Sequence, residues 1–213
     1  MGCGASTPGD PEGASQDART VKFSEPDSAQ HQRESVRFVL VLGTPGLDTA
    51  TQCSKLASTH SCVAISVGDM MRREIDAQST TGMAVAEMVE RGKIVPSHMT
   101  IDVLKGVIAK HPRATFVLDG FPRTVDAFSL LIETLGAPAF ALVLERSEEE
   151  AVAAAQADGM EESIRRQMLV YQHQTRPVIE MLRGKGVPVK VVEVRGSAEE
   201  TFKAASKAFT VKK

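Results

Sequence analysis

The chain has 213 residues and a formal net charge of −2, with 42% hydrophobic residues. This length suits one substantial domain with an appendage, and a near-neutral charge without blocks of like sign argues against a nucleic-acid-binding surface. The absence of Trp, with a single Tyr, leaves no aromatic platform for stacked bases. No apolar run approaches the roughly 18 residues that a membrane-spanning helix needs. We therefore predict a protein that neither binds nucleic acid nor spans a membrane.

The cysteines and histidines favour an intracellular protein without a direct metal site. Cys3, Cys53 and Cys62 occur without a secretory hydrophobic segment, which indicates a reducing compartment. We predict that Cys53 and Cys62 are buried free thiols, because free Cys packs as a small hydrophobic side chain. The five histidines show no metal-ligand spacing with cysteines or carboxylates.

The first six residues, Met1–Ser6, fit the pattern for N-myristoylation of Gly2, and Cys3 beside it is a candidate for S-palmitoylation. One myristoyl chain binds membranes only marginally, at about 10⁴ M⁻¹, whereas a second chain makes residence stable. The pattern is short, so a chance match is the alternative. We expect a lipid anchor that holds the protein at the cytoplasmic face of a membrane.

The segment that follows, up to residue 35, is rich in Gly, Pro, Ser, Asp and Gln and has few apolar side chains. Such a segment cannot bury enough surface to offset its ordering entropy. We predict that residues 1–35 form a flexible tether and that residues 36–213 form one folded domain.

A glycine-rich loop follows the first predicted strand, Phe38–Leu42, with glycines at Gly43 and Gly46. A strand, a glycine loop and a helix in this order form the cradle that binds nucleotide phosphates. The motif G-x-x-x-x-G-K-[ST] continues with Gly and Lys, but the frame that starts at Gly43 has Asp48 and Thr49 there. The loop therefore has the architecture of a phosphate site without its lysine.

Asp48 and Thr49 also predict how the next helix, at 48–59, begins. An Asp at a helix N-terminus accepts hydrogen bonds from free amide groups and complements the helix dipole. Thr49 with Gln52 fits a capping box. We hypothesise that the anion hole of the loop is filled internally, by the protein's own side chain.

The rest of the domain alternates short apolar strands with amphipathic helices. Further strands are predicted at 62–66, 115–119, 139–144 and 187–194. Further helices are predicted at 68–75, 82–91, 97–110, 124–135 with Thr124 as cap, 147–158, 161–183 and 198–209. This alternation predicts the α/β class, with a doubly wound, five-stranded parallel sheet covered on both faces.

Several segments together resemble adenylate kinases and related nucleoside-monophosphate kinases. They follow the family's order over about residues 37–210, and they are Gly43-x-Pro-Gly46, Thr51-Gln-Cys53, Ser66-Val-Gly-Asp-Met-Met-Arg72, Gly92-Lys-Ile-Val-Pro96 and Leu118-Asp-Gly-Phe-Pro-Arg-Thr124. The last segment is highly specific. The resemblance implies a P-loop NTPase fold, with a small helical insertion at about 67–96 that binds the monophosphate, and a lid.

The resemblance also implies the reaction ATP + AMP ⇌ 2 ADP with Mg²⁺. It assigns Arg72 and Arg123 to the acceptor phosphate, which guanidinium groups bind bidentately. It assigns Asp119 to orienting Mg²⁺ through water, and the backbone around Val95 to the adenine of AMP. The alternative for the two arginines is a pair of surface ion pairs, which explains poorly why both follow turns at strand ends.

The departures from the family pattern fall mainly on the donor side. Asp48, Thr49 and Ala50 stand where the pattern has Gly, Lys and Gly, so Gly43, Gly46 and Thr51 remain in a degenerate loop. The lid is reduced to roughly Gly159-Met160. Three further arginines of the pattern are replaced by Ala154, Asp158 and Gln167, although Arg166 substitutes for the last one if the register shifts.

The acceptor side departs from the pattern at two positions. Ala127 stands where the family brings a Gln to the adenine edge, and Val67 stands for a Thr. The phosphate contacts are kept while the readout of the base is weakened. We therefore expect binding on the AMP side rather than the ATP side.

Together these observations predict a membrane-tethered adenylate-kinase-like protein with little or no phosphotransfer activity and a residual monophosphate site. One alternative is an active kinase that uses Mg²⁺ with ATP and replacement cations, Arg166 or a residue in trans. Another is a non-enzymatic interaction module whose protein partners the sequence does not name.

Overall fold

The computed structural model describes residues 36–90 and 95–209. The predicted tether, with Gly2 and Cys3, lies outside the described residues.

The sheet has five strands, and every pair of neighbours is parallel. The strands are β1 (Arg37–Gly43), β2 (Val63–Ser66), β3 (Thr115–Asp119), β4 (Phe140–Glu145) and β5 (Val189–Glu193). Their order is β2-β3-β1-β4-β5. The predicted fold class is confirmed, and each predicted strand lies within two residues of the observed one.

Helices follow the strands much as the sequence predicts. They are α1 (Thr49–Thr59), α2 (Val67–Asp76), α3 (Thr80–Glu90), α4 (Ser97–Ala109), α5 (Val125–Leu135), α6 (Glu148–Ala155), α7 (Glu161–Val170), α8 (Arg176–Gly184) and α9 (Ala198–Ala208). Thr124 caps α5 as predicted, with its hydroxyl accepting from the Ala127 amide at 3.2 Å. A 3₁₀ turn extends α6, and Gly159 and Met160 form the whole connection from that turn to α7.

One helix prediction was wrong: residues 161–183 do not form one continuous α-helix. Between α7 and α8 the segment Tyr171–Thr175 is a π turn, in which the Arg176 amide donates to the Tyr171 carbonyl five residues back. Pro177, at the start of α8, has no amide hydrogen and cannot donate the next α-helical bond. The α-helical pattern is therefore interrupted beside the proline.

The core covers both faces of the sheet. In β1, Phe38, Leu40 and Leu42 pack with buried side chains of α4, α5 and α8, whereas Val39 and Val41 pack with those of α1 and α9. This alternation follows the two-residue period of a strand. Apolar side chains on both faces explain why the strands read as nearly continuous apolar runs.

Two helices lie in the predicted insertion at 67–96, and they pack closely against each other. A side chain at Gly82 of α3 would collide with the main-chain carbonyl of Glu74 in α2. Residues 91–94, which complete this insertion, are outside the described residues.

The strand order places a crevice at the carboxyl end of β1. β3 lies on one side of β1 and β4 on the other, so the order in which the chain adds strands to the sheet reverses at β1. Open α/β sheets bind ligands at such a switch point. Across residues 36–90 and 95–209, no helix is both long and apolar enough to cross a bilayer.

Candidate functional site

A cleft of about 420 Å³ lies at this switch point, between the glycine loop on one side and α7 with the π turn on the other. Its walls include Gly43, Gly46, Thr49, Arg123, Arg166 and Gln174. We call it the loop cleft. It brings together three of the predicted loop residues with one of the predicted acceptor-side arginines.

The main-chain amides of the loop are largely bonded within the protein. Thr44 N–H donates to the Leu144 carbonyl at 3.0 Å, Leu47 N–H to the Thr44 carbonyl at 3.3 Å, and Thr49 N–H to the Leu47 carbonyl at 3.0 Å. A phosphate-binding loop turns such amides toward its ligand. These three amides are already satisfied.

Asp48 is the N-cap of α1, as predicted. Its Oδ1 accepts from the Thr51 amide at 3.0 Å. The Thr51 hydroxyl and this amide together lower the pKa of Asp48. The predicted capping box of Thr49 and Gln52 was wrong, because Thr49 already lies inside the helix. Gln52 is buried and donates instead to the Ala198 carbonyl at 3.0 Å, which ties α1 to α9.

Thr49, at the position of the family lysine, is turned into the protein. A Cβ atom added to Gly43 would lie 2.5 Å from the Thr49 Cγ2 methyl. Burial raises the pKa of the neighbouring Asp119 carboxyl group, and the nearby Thr49 side chain opposes this rise. The side chain therefore occupies the space between the loop and the end of β3.

Asp119 ends β3 and pairs in register with Val41 of β1. It is buried, and its Oδ1 has no hydrogen-bond partner within the described residues. The rise in the pKa of Asp119 that burial causes is only partly opposed by the nearby Thr49 side chain and the positive charge of Arg123. Asp119 does not itself line the loop cleft, but it directly precedes Gly120, which does, and its carboxylate has unused acceptor capacity.

This unused oxygen fits the Mg²⁺ role that the resemblance implies for Asp119. Within the described part of the chain, no group of three His, Cys, Asp or Glu side chains could hold a metal ion. Asp119 would therefore hold Mg²⁺ only through water and together with phosphate oxygens of a nucleotide, whose charge the ion would neutralise.

Arg123 lies at the loop cleft on the turn after β3. Its Nε donates to the Gly120 carbonyl at 2.9 Å, and Gly120 has a φ of 73°, a conformation that favours glycine. The Thr175 hydroxyl, from the π turn, donates to the Arg123 carbonyl at 3.5 Å. This hydrogen bond joins the turn after β3 to the π turn beside the loop cleft.

Arg72 is not among the described residues that line the loop cleft. Its guanidinium pairs with Asp69 on the same helix and lowers the pKa of that carboxyl group. The Arg72 side chain is 69% exposed. Arg72 thus forms an ion pair of the kind that the surface alternative expects, while its predicted contact with the acceptor phosphate stays a prediction.

The other predicted acceptor-side positions do not line the loop cleft. Val95 is half-buried just before α4. Val67 and Ala127 are buried and bring no side-chain hydrogen-bonding group.

The two described cysteines are free thiols, as predicted, but only one is buried. Cys53 is buried, and burial raises the pKa of its thiol. Cys62, just before β2, is half-buried, so the prediction that it is buried was wrong.

Arg166 is at the loop cleft, as the register-shift alternative requires, and Gln167 lines the same cleft. Arg166 Nε lies 3.4 Å from the Glu162 carbonyl and 3.6 Å from the Glu162 carboxylate. Sequence reasoning missed the π turn that faces the cleft. Its signal was Pro177, inside the helix predicted at 161–183.

A larger cavity, of about 600 Å³, lies beyond Thr44 at the ends of β4 and β5. Several of its charges are paired with each other or with neighbours: Glu193 with Arg195 at 2.6 Å, and Glu148 with Arg165 at 3.9 Å. We place the candidate site at the loop cleft, which contains the glycine loop and Arg123.

A parallel sheet with a glycine loop after its first strand and a carboxylate at the end of β3 defines a P-loop NTPase fold. The family model for adenylate kinase matches residues 41–187. The chain is 33% identical to UMP-CMP kinase 3 of Oryza sativa subsp. japonica, over 79% of this chain and 83% of that protein. It is 31% identical to an adenylate kinase of Deinococcus radiodurans, over 78% and 93%, and 27% identical to human adenylate kinase isoenzyme 1, over 81% and 94%. The chain belongs to the adenylate kinase family.

Proposed function

We propose that this protein is a membrane-tethered member of the adenylate kinase family with weak or no phosphotransfer activity and a residual monophosphate site. The observation that carries the proposal is Thr49, which replaces the lysine and packs between Gly43 and Asp119. A side chain in this place helps to hold the loop together, and it supplies no positive charge for a phosphate.

The donor side lacks positive charge for a nucleotide phosphate, and the Thr49 side chain also takes up space there. Phosphoryl transfer depends on positioning and on stabilising the charge of the transition state. Asp48 adds a carboxylate at the start of α1, where a phosphate would otherwise meet the helix dipole. Arginines that stabilise the transition state are worth about 10³–10⁵ in rate in related reactions, and Ala154, Asp158 and Gln167 replace three of them.

The acceptor side keeps more of its chemistry. Arg123 lies at the loop cleft with its main chain supported by Thr175, and guanidinium groups bind phosphate without Mg²⁺. We therefore propose that AMP, or another monophosphate, binds more tightly than ATP, and that Mg²⁺ enters only with ATP.

The first test is a coupled assay of ADP formation from ATP and AMP. The proposal expects a turnover far below about 1 s⁻¹, the low end of ordinary enzymes, and a turnover above that value would contradict it. Calorimetric titrations with AMP and ATP separately are expected to show tighter binding of AMP than of ATP. Arg123→Ala should weaken AMP binding, whereas Arg113→Ala, an exposed arginine just before β3, serves as the matched control.

The second candidate function is an active kinase in which Arg166 supplies a replacement cation. Its position at the loop cleft favours this candidate. In that case the coupled assay gives ordinary turnover, and Arg166→Ala abolishes it.

The third candidate is an interaction module that binds no nucleotide. A ligand at 100 times its Kd adds about 2.7 kcal/mol to the free energy of unfolding. An unchanged melting temperature at millimolar AMP and ATP would therefore support this candidate over the other two.

The membrane part of the proposal rests on Gly2 and Cys3. Gly2→Ala should move the protein to the soluble fraction of expressing cells, and Cys3→Ser should weaken membrane retention, because one acyl chain binds only marginally. Gly4→Ala, two residues away, is the matched control. Equal membrane partitioning of Gly2→Ala and Gly4→Ala would refute the lipid anchor.

A further inference from the structure

Five exposed cations lie at the edge of the sheet where the strands begin, opposite the loop cleft. They are Arg37, Lys110, Arg113, Lys185 and Lys207, and we call them the amino-edge surface. We infer that this surface contacts the anionic headgroups of the membrane leaflet to which the protein is tethered, with the loop cleft at the end of the domain away from the lipid. The inference rests on the proposed membrane tethering and adds a second contact to it.

The parallel sheet brings these cations to one edge. Because neighbouring strands are parallel, their first residues share one edge, and the loop cleft lies at the other. Arg37 is the first residue of β1 and Arg113 lies just before β3, and both line one hollow of about 480 Å³. Lys110 and Lys185 follow the last residues of α4 and α8, which end just before β3 and β5.

Lys207, in the last turn of α9, belongs to the same edge. Phe209, just after this helix, packs edge to face against Phe140, the first residue of β4, with ring centroids 5.3 Å apart. This aromatic contact holds the end of α9 beside the start of the sheet.

The positive charge of the amino-edge surface is not compensated locally. Within residues 36–90 and 95–209, none of the five cations forms an ion pair or a side-chain hydrogen bond. The loops that lead into β2, β3, β4 and β5 contain no Asp or Glu, and among the described helices that end at this edge only α5 has a carboxylate in its last turn, Glu133. Since the whole chain has a net charge of −2, the remainder of the molecule is acidic. An anionic membrane therefore attracts this edge in preference to the rest of the surface.

Helix dipoles explain only part of this pattern. Cations are favourable near the carboxyl end of a helix, which accounts for Lys110, Lys185 and Lys207. The same reasoning does not account for Arg37 and Arg113, because neither belongs to a helix. A contact with an anionic surface gives one reason for both groups.

The segment before the domain supplies the candidate anchor but not the positive charge. Residues 1–35 contain three Lys or Arg residues against six Asp or Glu residues. One myristoyl chain binds only marginally, and stable anchoring takes a second signal, such as another acyl chain or a polybasic patch. Val36 leads from this segment directly into Arg37, so the amino-edge surface begins where the segment joins the domain. Each cation near an anionic leaflet strengthens binding roughly fivefold.

Vesicle sedimentation tests the inference on the full chain, co-expressed with an N-myristoyltransferase. The Cys3→Ser background is used throughout, so that a second acyl chain does not mask the contact. Vesicles of phosphatidylcholine alone are compared with vesicles that contain about 30% phosphatidylserine. The acidic vesicles should bind at least tenfold more tightly at low salt. The preference should disappear at about 1 M salt, where the Debye length is about 3 Å.

A triple variant tests which side chains are responsible. Arg37→Gln/Arg113→Gln/Lys185→Gln removes three charges from the amino-edge surface and should weaken binding to the acidic vesicles at least tenfold, at roughly fivefold for each charge. Binding to phosphatidylcholine vesicles and the affinity for AMP should be unchanged, because none of the three residues lines the loop cleft.

A second triple variant is the matched control for net charge. Arg73→Gln/Arg165→Gln/Arg195→Gln removes the same charge from exposed side chains outside the amino-edge surface. It should weaken binding to the acidic vesicles much less than the first triple variant does. Circular dichroism and urea midpoints confirm that both variants are folded.

The outcomes separate this inference from the lipid anchor. Equal binding to both kinds of vesicle, or an equal loss in the two triple variants, overturns the inference. Retention on immobilised heparin without a preference for acidic vesicles would assign the cations to a soluble polyanion and would also overturn it. The anchor fails separately, if Gly2→Ala binds phosphatidylcholine vesicles as well as its parent does. The preference for phosphatidylserine then still decides the inference.

Discussion

The Thr49 methyl group lies so close to Gly43 that a Cβ atom on this glycine would come within 2.5 Å of it. The same side chain reaches Asp119 with its hydroxyl. At the position where the family has a lysine for phosphate, this protein therefore has a side chain that packs the loop against the end of β3. Four predictions follow from this contact and its neighbours.

Gly43→Ala should lower the free energy of unfolding by about 1–3 kcal/mol, the usual cost of overpacking. Thr49 cannot easily move away, because β-branched side chains have few χ1 rotamers. Urea denaturation of the two proteins measures the difference.

The Gly43→Ala result has a double-mutant control. Thr49→Ser removes the methyl group and keeps the hydroxyl, so Gly43→Ala should cost much less in the Thr49→Ser background. Gly106→Ala, inside α4 with no atom within 4 Å of its added Cβ, should instead stabilise by about 0.5–1 kcal/mol. Equal costs of Gly43→Ala in both backgrounds would mean that Thr49 is not the obstacle.

Asp48→Ala should cost about 0.5–2 kcal/mol at pH 7, since the cap on the Thr51 amide is lost. The Thr51 hydroxyl and amide lower the pKa of folded Asp48, so the stabilising contribution of the charged carboxylate is present above the ordinary Asp pKa. It is lost as pH falls through the folded value. The difference in urea stability should therefore shrink below about pH 4. Asp48→Asn keeps a neutral cap and should lose this pH dependence. If the stability difference between wild type and Asp48→Ala stayed constant with pH, the charge of Asp48 would have no role in the cap.

Asp119→Asn should stabilise the protein at pH 7. Burial raises the pKa of Asp119 in the folded state. Above about pH 4, the ordinary Asp pKa, the folded protein therefore keeps a proton that the unfolded chain has lost. The free energy of unfolding then falls as pH rises from about 4 to the pKa of folded Asp119. The variant lacks this loss, and its advantage in thermal unfolding should vanish at pH 3. A variant that is less stable than wild type at pH 7 would show that the carboxylate is compensated in the fold.

The double variant Asp48→Gly/Thr49→Lys should gain ATP binding, at least tenfold tighter in calorimetric titration. It removes a carboxylate and the packed threonine and supplies the lysine that reaches the β- and γ-phosphates. Asp48→Gly alone is the control for the change of charge. No gain in the double variant would count against the idea that the loop is filled from within.

Much of the fold was predictable because it depends on local pattern. The apolar runs of β1 and β4 are buried on both faces, and a run of this kind predicts a strand in a covered parallel sheet. Thr124 and Asp48 were recognisable as caps because a cap depends on residues three positions apart. The π turn was not recognisable, since Pro177 indicates an interruption but not which residues carry it.

The candidate site was predictable in residue type and less so in arrangement. The residues Gly43, Gly46, Thr49 and Arg123 meet at the loop cleft as expected, because the carboxyl ends of parallel strands share one edge. Arg72 belongs to the same family pattern but pairs with Asp69, three residues away, as nearby opposite charges on one helix do.

The sequence by itself determined the family, the α/β class and the loss of the phosphate lysine, because these depend on which residues stand in which order. Only the tertiary structure decided where the substituted side chains go. Thr49 turns toward Gly43 and Asp119, and Gln52 toward Ala198, because contacts between distant segments and the exclusion of water select among rotamers that local sequence leaves equally accessible. The same holds for Arg166, which the packing of α7 against α6 places at the loop cleft.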